Sequence, residues 1–138
     1  MPIARIALIE DNPTNLELMQ YLLHHFGYQT LVATDGEQGL ALVRQEHPDL
    51  ILCDLQLPLI DGYALAGQIK ADPTLRDIPL LAVTAFSMTG DEEKTLAAGF
   101  LAYFAKPIDP ESFVAQMEQF LPPPLRSAGG ASAPVPPG

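Results

Sequence analysis

Glu10 and Asp11 follow the apolar run RIALI, Asp54 ends LILCD, Thr84 ends LLAVT, and Lys106 follows AYFA. Three carboxylates, a hydroxyl and an amine thus stand at the carboxyl ends of four stretches that read as strands. Each has an ordinary explanation alone: an acidic turn, a strand-end cap, a β-branched strand former, a solvated lysine before proline. Their joint occurrence at successive strand ends favours a single site. Asp54 is the most telling, because five of the six residues from Leu50 to Leu55 are apolar. An ionised group there loses hydration at a cost of roughly several kcal/mol unless it is paired. Three carboxylates gathered together also repel, by about 4 kcal/mol per pair at roughly 4 Å and an effective dielectric near ~20. A cation is therefore required. Magnesium fits, since it is held by one or two carboxylates with water and phosphate oxygens completing its shell; manganese can substitute. With Lys106 as a second positive charge and Thr84 as a donor, the set suits a transferring phosphoryl group, whose equatorial oxygens need such partners.

The elements that must position these residues alternate. RIALIE, QTLVA, LILCD, LLAVT and AYFA predict five strands, and their lack of strict polar alternation implies burial on both faces. Helical patterns lie between them. Asn12 and Pro13 give an N-cap followed by proline at the first helical position, and Leu16, Met19, Leu23 and Phe26 mark one face until Gly27. Thr34 with Glu37, and Thr89 with Glu92, have capping-box spacing. Asp61 and Gly62 open a third helix, and Asp109 and Pro110 open the last, with Phe113, Met117, Phe120 and Leu121 as its stripe. Strict alternation with long connections implies an α/β fold: a (βα)5 doubly wound, five-stranded parallel sheet. In such sheets the site lies beyond the carboxyl ends of the strands, where strand order reverses.

Composition narrows the class. The 138 residues, 48% apolar and 17% charged, suffice for one domain with a substantial core. A net charge of -10 and seven scattered Lys and Arg residues argue against direct nucleic-acid binding. The single cysteine, Cys53, forms no internal disulfide, and no apolar run is long enough to span a bilayer. A cytoplasmic protein is expected. After Leu121 the composition shifts: six Pro and three Gly among the last 17 residues leave little to bury. The expected organisation is a domain over residues 1–121 and a disordered tail or linker over 122–138.

LIEDNPTN, DLILCDLQLPLIDG, LLAVTAF and AYFAKPID, in that order and spacing, resemble the receiver domains of two-component response regulators, the CheY-like, flavodoxin-like family, over about residues 3 to 121. VTAFSMTGDEEK is further similar to single-domain cell-cycle regulators of that family. The resemblance implies that Asp54 accepts a phosphoryl group from a phosphohistidine of a sensor histidine kinase or histidine phosphotransfer protein. It implies magnesium held by Asp11, Asp54 and the main-chain carbonyl of Gln56, with Glu10 acting through water. Lys106 and Thr84 would contact phosphoryl oxygens, Tyr103 would be an aromatic switch, and Pro107 would follow the lysine through a bond often cis in the family. Gln56 and Phe86 occupy positions that tune hydrolysis. A downstream protein would bind the face of the fourth helix, fifth strand and fifth helix, and the chain would be a monomer or a weak phosphorylation-dependent homodimer.

Other residues invite plainer readings. Cys53 points away from Asp54 by strand alternation and reads as a buried inert thiol. His24, His25 and His47 lack metal-ligand spacing and read as helix-surface residues. Gly36, Gly62 and Gly90 fit turns or helix starts. Two alternatives stand beside a signalling module with at most self-phosphorylation and self-dephosphorylation activity. One is a receiver portion of a hybrid kinase. The other is a magnesium-dependent phosphohydrolase of the haloacid dehalogenase class, disfavoured because Gln56 stands where those enzymes carry an acid/base aspartate.

Overall fold

The computed structural model describes residues 4–57, 59–84, 91–106 and 108–122. Phe86, Thr89, Gly90 and Pro107, and the tail beyond Pro122, lie outside them. Five strands, β1 (Arg5–Ile9), β2 (Gln29–Ala33), β3 (Leu50–Asp54), β4 (Leu80–Thr84) and β5 (Ala102–Ala105), alternate with five helices, α1 (Pro13–His25), α2 (Gly36–Glu46), α3 (Gly62–Ala71), α4 (Asp91–Ala97) and α5 (Phe113–Glu118). All four strand pairings are parallel, in the order β2-β1-β3-β4-β5. The chain runs from β1 outward to β2, then returns to place β3 on the other flank of β1. The order therefore reverses between β1 and β3, and the crevice this creates opens at their carboxyl ends.

Alternation along the strands divides the core in two. Ile6, Leu8, Leu50 and Leu52 pack with Leu23 of α1 and Phe113 and Met117 of α5. Ala7, Ile9, Ile51 and Cys53 pack with Val43 of α2 and Leu65 and Ile69 of α3. Every residue of β3 and β4 is buried, as their apolar runs imply, whereas the edge strands β2 and β5 are partly open. Burial on both faces was expected of all five strands. It fails at the edges because each edge strand has a neighbour on one side only.

Helix starts follow the expected chemistry at α1 and α3 and shift at α2 and α5. Asn12 Oδ1 accepts the N–H of Asn15 at 3.0 Å, and Asp61 Oδ1 accepts that of Ala64 at 2.8 Å. At α2 the cap is Asp35 rather than Thr34, its Oδ1 accepting the Gln38 N–H at 2.8 Å. Aspartate is the stronger cap, and Thr34 instead reaches the Gln38 side chain. The last helix does not open at Asp109 and Pro110: the Asp109 carboxylate closes a turn by accepting from Glu111 N–H and Ser112 Oγ, and α5 is regular only from Phe113 to Glu118, short of Phe120 and Leu121.

Candidate functional site

Parallel pairing brings the sequence-predicted residues to one edge. Glu10 is fixed just beyond β1 by its N–H, which donates to the Ala33 carbonyl at 3.0 Å. Asp54 is the last residue of β3, beside Val83 of β4. The Lys106 N–H donates to the Thr84 carbonyl at 2.9 Å, which ties the lysine to the end of β4. Glu10, Asp54 and Thr84 are all buried, with exposures of 0%, 3% and 2%. Polar groups this deep beside a crevice need a local account.

The account is a shared ammonium. Lys106 Nζ lies 3.0 Å from Asp54 Oδ2 and 3.1 Å from Glu10 Oε2. Backbone donors take part of the remaining demand: the Gln56 N–H donates to Asp54 Oδ1 at 3.0 Å, and the Asn12 N–H to Glu10 Oε2 at 3.1 Å. Glu10 Oε1 is buried with no hydrogen-bond partner. Asp11, exposed at the rim, completes a trio with Glu10 and Asp54 whose ligand atoms lie within 4.8 Å of one another.

These surroundings set the protonation. Burial, then the Asp54 charge, raise the Glu10 pKa from its ordinary value to about 7, against the opposing pull of the Asn12 N–H and Lys106. Burial would lower the Lys106 pKa, but its hydrogen bond to Asp54 and the charges of Asp54 and Glu10 outweigh this and raise it. Lys106 is thus held as a cation. One ammonium does not neutralise the trio, and the orphaned Glu10 oxygen and close carboxylates fit a hard divalent ion.

Gly62 holds the loop that follows Asp54. A β-carbon there would lie 2.6 Å from the Asp54 carbonyl oxygen and 2.7 Å from Leu55 Cα, while the Gly62 N–H donates to the Leu55 carbonyl at 3.0 Å. Gly36 has a similar constraint, since its β-carbon would lie 2.1 Å from the Ile60 carbonyl oxygen. The sequence marked both glycines only as turn or helix-start residues. A close approach between segments distant in sequence leaves no local signal. Tyr103 is half-buried beside the α2/α3 side of the core, and Gln56 is exposed next to Asp54. Cys53 is buried in the opposite face from Leu52, as expected, and burial pushes its thiol pKa well up.

Residues 6–118 match the response regulator receiver domain family. The chain belongs to that family. It is 41% identical over 116 residues to the polar-differentiation response regulator DivK of Brucella ovis, covering 84% of this chain and 94% of the relative. Among solved structures it resembles a response regulator from Chloroflexus aurantiacus, with a TM-score of 0.83, 28% identity, and coverage of 86% of this chain and 98% of that one. It also resembles the receiver domain of a sensor histidine kinase from Pseudomonas aeruginosa, solved with magnesium in its active-site cleft. That match has a TM-score of 0.80, 33% identity and the same coverage. The protein is therefore a two-component signalling domain with the five-stranded CheY-like fold. No helix among the described residues is long and apolar enough to cross a membrane.

Proposed function

We propose that this receiver takes a phosphoryl group on Asp54 from a phosphohistidine of a sensor kinase or phosphotransfer protein, in the cytoplasm. The observation that carries this reading is the Lys106 bridge, which fixes the Asp54 carboxylate at the strand end beside Glu10 and Asp11. A carboxylate oxygen of Asp54 attacks phosphorus as the P–N bond to imidazole breaks. The imidazole keeps the electron pair and gains a proton, and an acyl phosphate forms on Asp54. Lys106 and Thr84 contact the oxygens of the phosphoryl group and offset its charge. Asp11, Asp54 and the Gln56 main-chain carbonyl would hold magnesium, with Glu10 acting through water. When bound, the ion offsets the repulsion between the trio and the incoming phosphoryl oxygens.

The switch then acts through Thr84 and Tyr103 on the face formed by α4, β5 and α5. Phosphoryl contacts favour an inward Thr84 hydroxyl and Tyr103 ring, and a partner selecting that arrangement binds the phosphorylated form more tightly. Gln56 offers no acid/base group for repeated phosphate-monoester turnover, which supports a signalling domain over a phosphohydrolase. Incubation with acetyl phosphate and magnesium should give a base-labile adduct on wild type and none on Asp54→Ala. An adduct retained in the variant and mapped to another residue by mass spectrometry would overturn the assignment.

A further inference from the structure

Two non-glycine residues among those described have a left-handed backbone, His47 and Leu59. His47, at φ 46°, caps α2 with its N–H on the Val43 carbonyl, an ordinary place for that conformation. Leu59, at φ 71°, ends no helix. It lies in the loop between Asp54 and α3, where bulky residues adopt this conformation rarely and glycine or asparagine adopt it readily. The loop dictates the geometry, since the Gly36 and Gly62 contacts pin the backbone on both sides of it. They do not dictate leucine. The Leu59 side chain is 73% exposed, the most open of the large apolar residues among those described. It contributes little to the core while occupying a position that favours a smaller residue. Nothing among the described residues accounts for its identity.

We propose that Leu59 is a specificity-determining contact for the phosphohistidine-bearing donor protein. This rests on Asp54 being the phosphoacceptor. A donor must bring its imidazole to the carboxyl edge of the sheet, so its surface covers the loops of that edge, including the one carrying Leu59. Asp11, Gln56 and Asp61 at that edge are exposed and polar. An apolar side chain among them offers the donor a contact that buries carbon, and the pinned backbone presents it with little ordering cost. A small phosphodonor reaches Asp54 without covering the loop.

The test compares Leu59→Asn, which tolerates the left-handed backbone and removes the apolar surface, with Leu59→Met, which keeps that surface. Both would be phosphorylated by acetyl phosphate and by the purified kinase or phosphotransfer domain that labels wild type fastest in a profile of the host's donors. For Leu59→Asn, acetyl phosphate labelling should stay within about twofold of wild type and the melting temperature should hold or rise. Transfer from the protein donor should fall by roughly tenfold in kcat/KM, chiefly through KM, as expected for partial loss of a buried leucine contact. Leu59→Met should retain transfer. Unchanged protein transfer in Leu59→Asn would overturn the proposal. So would equal losses with both donors, which would place Leu59 in the site chemistry, or a lowered melting temperature, which would make it structural. Failure of wild type to be labelled on Asp54 by acetyl phosphate would refute the phosphoacceptor reading itself, separately from any difference between variants.

Discussion

The two ends of the sheet solve the problem of polar groups beside a core differently. At the amino end, the Arg5 guanidinium pairs with the Glu46 carboxylate and donates to the Glu46 carbonyl at 2.8 Å. The Arg5 N–H donates to Asp49 Oδ2 at 2.8 Å, and the Tyr28 hydroxyl donates to the buried Glu118 carboxylate. There, Glu46, Asp49 and Glu118 each have a hydrogen-bond donor of their own. At the carboxyl end, Glu10 and Asp54 share one ammonium, Asp11 adds a third negative charge, and a Glu10 oxygen is left unpaired. The balanced end holds the fold together. The unbalanced end would be completed by the metal ion and phosphoryl group proposed for it, so the cost of its unpaired groups and its proposed chemistry have one origin.

The strongest way to break this contrast is to remove the cation at each end. Lys106→Met leaves two buried carboxylates without their ammonium and should cost roughly 3 kcal/mol at pH 8. The loss should shrink at pH 5, where Glu10 takes up a proton. Arg5 and Glu46 are each about one-third exposed, so Arg5→Met should cost only about 1 kcal/mol. Urea unfolding at the two pH values measures both. Equal losses at pH 8 would mean that the two ends do not differ as described.

A second effect comes from Glu10 alone. Its pKa is raised from 4.5 to about 7, so between those values the folded protein holds a proton that the unfolded chain has released. The stabilisation from this group is complete below about pH 4.5 and is lost as pH rises through 7, a decline of about 3 kcal/mol in metal-free protein. Glu10→Gln should flatten that slope. Saturating magnesium should flatten it too, because the ion favours the anion, and a chelator should restore it. A metal-free stability curve that rises with pH over this interval and is unaltered by Glu10→Gln would contradict the protonation assigned to the site.

The difference between the two ends was unevenly legible in the sequence. QTLVA, LILCD, LLAVT and AYFA coincide with β2 to β5, because apolar runs bounded by turn residues mark strands without tertiary information. The candidate site was legible for the same reason, since the alternating topology sends every strand end to one edge. The amino end was not. Tyr28 and Glu118 are 90 positions apart, and neither a tyrosine before a strand nor a glutamate in a helix marks a pair. The backbone amides of Asn12 and Gln56 escaped as well, because any residue but proline can supply an N–H. Asp35 in place of Thr34 is a shift of one position, decided by which side chain reaches the Gln38 amide. Leu59 was invisible because a left-handed leucine is identified by its backbone angle and looks like part of an apolar run in the sequence.

The smallest effect expected is at the balanced end, and it tests whether the two ends are independent. Tyr28→Phe removes a hydroxyl that donates to Glu118 and keeps the buried ring, which packs with Leu23 and Met117 in the same part of the core. A buried carboxylate that loses one donor should cost about 1 kcal/mol, a drop of a few degrees in melting temperature. The lost bond lies where α5 meets the start of β2, across the length of the sheet from Asp54. Between the two stand β1, buried except at Arg5, and the fully buried β3, whose mutual pairing does not involve Tyr28. Acetyl phosphate labelling and the pH slope attributed to Glu10 should therefore match wild type once temperature is set equally far below each melting point. Altered labelling under those conditions would show that α5 carries strain from the amino end to the site. The two ends would then be one coupled system, and the division between scaffold and site would fail.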